Sequence, residues 1–464
     1  MGERGVAVVL AAGLGTRMRS SLAKVLHPLL GRPMVHFPVQ AAQDAGLDVI
    51  LVVHHQEDAV RAAFAGQPGV AFARQEAPRG TGDAVRSALE QLPAQGVVVV
   101  TCGDAPLLRA ETLRALLAAH GDALCTVVTA HLPDAGSYGR VVRGPDGHPA
   151  RIVEAAEATT AERAIGEINT GLYAFDAAFL RALLPGLAPH PPKGELYLTD
   201  AVAAAAARGG ARAFVHTDVD ELMGVNDRLA LGAARAVLQA RVLAHHALAG
   251  VTFESPATTL CEVGVEIAPD AVIEPNVVLR GRTRVGAGAR VGAGSVLVDA
   301  TLAEGAEVLP LSHVEGAEVG PAAHAGPFAR LRPGARLERG AKVGNFVEIK
   351  ATTLGPGAKV PHLSYVGDAL VGARANVGAG TITCNYDGFA KHRTEIGAGA
   401  FIGSNSALVA PVRVGAGAIV GAGSVITREV PPDAIAVARG EQRVVDGGAA
   451  RFRARKAPVT GEGR

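Results

Sequence analysis

Between Ile267 and Ile426 an aliphatic residue returns every six positions, usually with Gly or another small residue after it. The run reads Ile267, Ile273, Leu279, Val285 and Val291, and is read as resuming in phase at Val319, Ala325, Leu331, Leu337, Val343 and Ile349. A third block holds Ile396, Ile402, Leu408, Val414, Val420 and Ile426. Six is neither the helical period nor the simple strand period. Each hexapeptide is therefore one short strand and a corner, and three of them make one turn of a parallel β-helix. The aliphatic residue points inward and the small residue lets the chain bend. A single coil cannot bury its apolar side alone, so the coils must stack into one continuous core.

With 464 residues the chain exceeds the size at which single cores divide, so at least one further domain is expected. Lys+Arg 45 against Asp+Glu 44 gives a net charge of +1, which argues against nucleic acid or an anionic membrane as a global partner. Cys102, Cys125, Cys261 and Cys384 lie far apart without a CxxC, which suggests neither a zinc site nor a disulfide framework and fits a reducing cytoplasm. The apolar run from Val6 to Ala12 lacks a cleavage site for a signal peptide, and no stretch is long and apolar enough to span a membrane.

The first half alternates Val-rich runs (Gly5 to Ala12, Val49 to His54, Gly96 to Thr101, Leu124 to Ala130) with helical stretches such as Met34 to Ala45 and Ala84 to Leu92. That is an α/β sandwich, with ligand loops expected at the carboxyl ends of the strands. From Asp227 to Gly250 the spacing predicts a helix with Leu229, Leu231, Ala234, Val237, Leu238 and Val242 along one side, read as a spacer arm. The expected division is 1–226 for the α/β domain, 227–250 for the linker helix, 251–440 for the β-helix and 441–464 for a basic tail, mobile from Arg451 onward.

Leu10-Ala11-Ala12-Gly13-Leu14-Gly15-Thr16-Arg17-Met18 follows the first strand, with Lys24 six residues beyond Met18. The glycines let the backbone close on phosphates, and Arg17 and Lys24 supply countercharge. Neither a dinucleotide fingerprint nor a Walker loop is complete here. The string resembles the signature of sugar-nucleotide pyrophosphorylases. The resemblance implies that Leu10, Ala11, Ala12, Gly13, Lys24, Gln75, Gly80, Thr81, Cys102, Gly103 and Asp104 hold the nucleotide and that Gly139, Glu154 and Asn169 hold the sugar. It also implies a catalytic part for Arg17 and Lys24, and Mg²⁺ held by Asp104 and Asn226, a carboxylate and an amide oxygen suited to a hard cation. Leu14 and Cys102 depart from the family, which commonly has a basic and an aromatic residue at those places.

In the second half, chemistry must come from side chains that break the repeat. They lie in Arg330 to Gly334, Gly344 to Lys350, His362 to Asp368 and Gly378 to Gly388. Between Thr383 and Glu395 the period is interrupted, so a loop carrying Asn385, Tyr386 and Lys391 should leave the coil. His362 is the candidate general base, since an amine attacking a thioester must lose a proton and imidazole titrates near neutrality. Arg332 and Lys350 offer a phosphate clamp, and Tyr365 and Asn376 offer sugar contacts. The pairs His54-His55 and His245-His246 are read as solvated faces.

Over nearly its whole length the chain resembles the bifunctional bacterial family of N-acetylglucosamine-1-phosphate uridyltransferase and glucosamine-1-phosphate N-acetyltransferase. The fold this implies is a Rossmann-like nucleotide-diphospho-sugar transferase domain, a linker helix and a left-handed parallel β-helix. Position by position, Arg332, Lys350, Tyr365 and Asn376 would bind the amino-sugar phosphate, and Ala379, Asn385, Tyr386, Ser404, Ala422 and Arg439 would meet acetyl-CoA. The resemblance further implies UTP and acetyl-CoA as co-substrates, a cell-wall precursor as product, and a homotrimer with the acetyl site shared between subunits. Two other readings are a single-activity nucleotidyltransferase with a structural β-helix and a non-catalytic assembly subunit. The first is opposed by His362, Lys350 and Asn385, the second by Lys24, Asp104 and Asn226.

Overall fold

The computed structural model describes residues 5–192 and 194–456. Its contacts divide the chain into two compact units between Val242 and Leu243.

In the first unit, seven strands form the main sheet: β1 (Val6–Leu10), β2 (Asp48–Val53), β3 (Val70–Arg74), β4 (Val97–Cys102), β5 (Cys125–His131), β6 (Glu167–Asp176) and β7 (Ala211–Val215). Their order is β7-β5-β6-β4-β1-β2-β3. β6 runs antiparallel to both its neighbours, β4 and β5, and the other pairings are parallel. Alternate residues feed two cores: Ala7 and Val9 join one face of the sheet, Val8 the other. The near-continuous Val runs follow from burial on both faces. A hairpin of Arg140–Arg143 and Pro149–Val153 attaches to β6 through Ile168 and Arg140.

The helix Arg228–Leu248 crosses the division between the units, and its first part is not a bare spacer. Leu231 and Ala234 are buried in a small core with Met18, Leu29, Met34, Leu107 and Val225. Arg241 Nη1 donates to Leu107 O at 2.6 Å. Leu229, expected on the same side, is exposed, because it lies about 200° around the helix from Leu231. His246, expected in solvent, is buried, and burial holds its imidazole below the ordinary value.

The second unit is a left-handed parallel β-helix whose three sides are sheets of 11, 10 and 9 short strands. It begins at Thr252–Phe253 and continues to Ile435–Ala436, well outside the blocks of strict repeat. Every aliphatic position predicted to point inward is buried, from Ile267 to Ile426. The register is not in phase throughout. The steps from Leu297 to Leu302 and from Val314 to Val319 are five residues instead of six, so the coil absorbs shortened sides while Leu302 still pairs with Val285 and Val319 with Leu302. A short side is tolerated because a corner, not the strand, loses the residue.

At one corner the residues Leu311, Phe328, Phe346 and Leu363 have left-handed backbone and stand exposed. For bulky residues that conformation is unfavourable, and it persists because the coils above and below dictate the bend. After the last coil, Gly448–Lys456 forms a helix where a tail was expected, and 457–464 lie outside the described residues.

Since the core is a single stack, a cavity in one coil is felt by its neighbours. Leu279, fully buried and paired with Leu297 of the next coil, tests this. Leu279→Ala is expected to destabilise the β-helix by about 2–5 kcal/mol in chemical denaturation. A loss below about 0.5 kcal/mol, the level of an ordinary surface substitution, would contradict a continuous core.

Candidate active sites

β1 and β4 are parallel neighbours whose ends coincide at Leu10 and Cys102, so the loops that follow them emerge side by side. Gly103 N–H donates to Leu10 O at 2.8 Å and locks the two loop starts together. Here the sheet presents a cavity of about 310 Å³ whose lining includes Leu10, Ala12, Gly13, Lys24, Gln75, Gly80, Thr81, Cys102 and Asp104. Most of the nucleotide positions anticipated from sequence thus share one pocket. Glu195, which no motif announced, also lines it.

Lys24 pairs with Asp104 through Nζ and Oδ2, and donates to Asn226 Oδ1 at 3.1 Å. Val225 N–H donates to Asp104 O at 2.8 Å, which brings the distant Gly224-Val225-Asn226 segment to the strand end. Gly15 has φ of +62°, and a Cβ there would lie 2.5 Å from Lys24 Cβ, so the second glycine of the loop makes room for the lysine stem. Two hard oxygen donors, Asp104 and Asn226, already converge on one positive charge, and this donor set fits Mg²⁺. Among the described residues no group of three or more His, Cys, Asp or Glu could hold a metal, so phosphate and water oxygens would complete the shell. Arg17 stands exposed on the turn Thr16–Met18 and forms no ion pair among the described residues.

Gln75 is buried, and its Nε2 donates to Asp83 Oδ2 at 2.9 Å and to Gly80 O at 3.3 Å. With both N–H groups engaged, Oε1 is left as its open acceptor. The sugar positions meet around the hairpin. Asn169 N–H donates to Gly139 O at 2.9 Å, Asn169 Oδ1 accepts from Gly171 N–H at 3.1 Å, and Gly171 lies against Cys102. Burial, then Glu157, pushes the Glu154 carboxyl above the usual carboxylate range, and Thr199 bonds to it. Thr199 is a second residue that sequence reasoning missed, since it sits 45 positions from its partner with no spacing to mark it.

Burial, with Asp104 beside it, raises the Cys102 thiol to about 12. At pH 8 the thiolate fraction is therefore very small, and iodoacetamide is expected to alkylate Cys102 at least about tenfold more slowly in the folded chain than in urea. Equal rates, read by peptide mass mapping, would overturn that assignment. Leu14 is exposed and makes no part of the cavity wall.

In the β-helix, His362 ends the strand Lys359–His362 and pairs in register with Asn345 one coil earlier. Its Nδ1 lies 2.7 Å from Asn345 Oδ1. An amide oxygen only accepts, so Nδ1 carries the proton and Nε2 of the neutral ring presents a lone pair. Asn345 thus holds this ring from one coil away, a contact legible only once the coil length is known. The same corner continues upward: Asn405 N–H donates to Ala379 O at 2.7 Å, Gly423 N–H to Ser404 O at 2.8 Å, and Arg439 Nη1 to Ala422 O at 2.7 Å. His362, Ala379, Ser404, Ala422 and Arg439 therefore line one corner column.

A second group forms around the next corner. Lys350 Nζ meets Asp368 at 3.0 and 3.2 Å, and Arg332 Nη1 meets Glu348 at 2.8 Å. Asn385 donates to Asp368 and, at 3.4 Å, to Tyr365 Oη. Burial raises the Asp368 carboxyl, but the bonds from Lys350 and Asn385 outweigh it and leave the group below its ordinary value. Asp368 raises Lys350, while Lys350 in turn depresses Lys391, whose ammonium faces it from the loop. This cationic pair beside Arg332 is a candidate anion site. The loop itself leaves after Cys384 as expected and is closed by an antiparallel bridge between Tyr386 and Lys391, with Tyr386 Oη donating to Gly388 O at 2.6 Å. The structure joins Asn385 to the Lys350 group, not to the Ala379 corner. Asn376 pairs with Lys359 on the sheet that carries His362.

A family model described as the MobA-like NTP transferase domain matches residues 7–222, and one for the six-repeat bacterial transferase hexapeptide matches 393–428. A relative from Sorangium cellulosum, named bifunctional protein GlmU, is 50% identical over 459 residues, covering 97% of each chain. This chain belongs to the bifunctional GlmU family. Further GlmU relatives come from Anaeromyxobacter sp. strain Fw109-5, 52% identical over 97% of this chain and 93% of that one, and from Trichlorobacter lovleyi, 45% identical over 94% and 96%. GlmU likeness thus runs through both units, including the coils before residue 393 that the hexapeptide model leaves unmatched. No described helix is long and apolar enough to cross a membrane.

Proposed function

We propose that this chain makes UDP-N-acetylglucosamine, a cell-wall precursor, in two reactions at two separate sites. The observation that carries the reading is that each unit holds its own constellation: Lys24, Asp104 and Asn226 at the strand ends of the first, and Asn345, His362, Lys350 and Asp368 on the coils of the second.

At the β-helix, Arg332, Lys350 and Lys391 take the phosphate of glucosamine-1-phosphate, and Tyr365 and Asn376 meet the sugar. The amine attacks the thioester carbonyl of acetyl-CoA, His362 Nε2 accepts its proton, and the C–S bond breaks to release CoA, which takes a proton as it leaves. Asn345 keeps the imidazole in the tautomer this needs. Backbone N–H groups polarise the carbonyl. The corner column of Ala379, Ser404, Ala422 and Arg439 runs along CoA, with Asn385 and Tyr386 reaching it from the loop.

At the sheet, N-acetylglucosamine-1-phosphate attacks the α-phosphorus of UTP and pyrophosphate leaves. Gln75, Gly80 and Thr81 hold the base end, Gly139, Glu154 and Asn169 the sugar. Arg17 and Lys24 bring positive charge to the triphosphate. Asp104 and Asn226 would hold Mg²⁺, which would supply neutralisation of the phosphate charge. The chain works in the cytoplasm as a homotrimer. The hexapeptide coil and the placement of the His362 and Lys350 groups on successive corners support an acetyl site completed by a second copy.

Product analysis tests the reading. Glucosamine-1-phosphate, acetyl-CoA, UTP and Mg²⁺ together are expected to yield UDP-N-acetylglucosamine with one CoA and one pyrophosphate per molecule. UDP-glucosamine formed at a similar rate without acetyl-CoA would contradict the order of the two steps.

A further inference from the structure

The segment from Glu195 to Thr199 is a strap along the nucleotide cavity, bonded at both ends to residues of the proposed site. Leu196 N–H donates to Arg79 O at 2.7 Å, Gly82 N–H to Leu196 O at 2.8 Å, and Leu198 N–H to Thr81 Oγ1 at 3.2 Å. At its other end Thr199 bonds to Glu154. Leu196 and Leu198 are buried, and Glu195 and Tyr197 alternate to the opposite side, with Glu195 in the cavity wall. The approach is tight, since a Cβ on Gly80 would lie 2.5 Å from Leu196 O. The strap therefore fixes the base end of the cavity relative to its sugar end.

One side chain grips this strap from outside. His190 stacks on Tyr197 with ring centroids 4.4 Å apart and planes 26° from parallel. Its Nε2 lies 2.8 Å from Asp200 Oδ2, and its backbone N–H donates to Glu195 O at 2.9 Å. His190 thus touches the strap at Glu195 and Tyr197 and, through its ring, Asp200 just beyond the strap's end. We infer that His190 is a positioning residue for uridyl transfer, clamping the strap through Tyr197 and Asp200 so that Thr199 stays beside Glu154, where the sugar phosphate is held. This rests on the assignment of the cavity to UTP and N-acetylglucosamine-1-phosphate.

Among the described residues, the charged groups that face His190 are carboxylates: Asp200, Glu157 and Glu154. The bond to Asp200 raises the imidazole above its ordinary value. The sign follows. A group whose folded pKa is raised contributes fully below its unfolded value and loses its contribution as pH rises through the folded one. The clamp is therefore complete in mildly acidic solution and slackens above the ordinary histidine range. The ring contacts of His190, Tyr197 and Asp200, flank Thr199, while the bonds to Arg79, Thr81 and Gly82 still hold the base end, so loss of His190 falls on the sugar end.

Two variants separate the contacts in the full-length chain. His190→Phe keeps a ring over Tyr197 without the ion pair, and His190→Gln keeps a polar partner for Asp200 without the ring. Each is expected to raise KM for N-acetylglucosamine-1-phosphate about tenfold, with KM for UTP and kcat within about twofold. In the wild type, KM for the sugar phosphate is expected to rise with pH above neutrality, and in His190→Phe that dependence flattens. Hydrogen exchange of the Leu196 and Leu198 amides, read without substrate, is expected to speed up in both variants. Unchanged exchange would refute the clamp itself. Faster exchange with unchanged KM, or an equal rise in both KM values, would refute its role in placing the sugar phosphate. Because exchange needs no turnover, a wild type that failed to form UDP-sugar would be told apart from a histidine that failed to hold the strap.

Discussion

Asp104→Ala is expected to lower uridyl transfer by about 10³-fold or more while leaving acetyl transfer within about twofold. Two losses add in this variant. The carboxylate that would share a cation with Asn226 is gone, and Lys24, which pairs with it, is left beside Asn226 alone. Each tenfold in rate corresponds to about 1.4 kcal/mol, so about 4 kcal/mol of transition-state stabilisation is assigned to this one side chain. Asp104→Asn keeps the volume and one acceptor oxygen but removes the charge. It is expected to lose nearly as much, because a hard cation and an ammonium both require the anion. Pyrophosphate release at saturating UTP and Mg²⁺ measures the first activity, and free thiol from acetyl-CoA the second. A drop of less than about tenfold in pyrophosphate release from a folded variant would remove Asp104 from the site.

His362→Ala is expected to do the reverse, lowering CoA release by about 10²–10⁴-fold, the range of general-base catalysis. The side chain is exposed at a strand end and contributes nothing to the aliphatic core, so the fold should be unaffected. Since the ring removes a proton rather than gripping substrate, the fall is expected in kcat, with KM for acetyl-CoA little changed. Asn345→Ala separates positioning from chemistry. It leaves the imidazole intact but frees Nδ1, and is expected to lose less, about tenfold, through the wrong tautomer and a mobile ring. If His362→Ala kept more than about a tenth of the wild-type rate, the base would have to be sought elsewhere on the coil.

Much of this could be read from the residues, for reasons that differ between the two units. In the β-helix a side chain's direction follows from its place in the hexapeptide, so Leu331, Val343 and Ile349 could be placed inside from spacing alone. The shortened sides near Leu302 and Val319 were legible but passed over: Val319 lies 28 residues after Val291, not a multiple of six, so the run could not resume in phase. In the sheet, Val-rich runs announced β1, β2, β4 and β5, but not that β6 enters between β4 and β5 in the opposite sense, which is a property of pairing. The pocket residues carried by short motifs came together, from Gly13 to Asp104. Those defined by contacts across the chain did not announce themselves: Glu195 and Thr199 meet partners in distant segments, while Asn345 lay in a recognised motif without a role. Asp368 stood in a recognised motif without a role, because its meaning is the countercharge it offers to Lys350 and the bond it accepts from Asn385. Leu229 and His246 failed for a simpler reason: a single helix face was drawn through residues that the helical period sends to different sides.

The central claim is that one chain carries two independent active sites, and a split assay on the purified full-length protein addresses it most directly. Glucosamine-1-phosphate with acetyl-CoA is followed for free CoA, and N-acetylglucosamine-1-phosphate with UTP and Mg²⁺ is followed for pyrophosphate. Both signals are expected, each undiminished when the other reaction's substrates are left out. Pyrophosphate without CoA, or CoA without pyrophosphate, would contradict it.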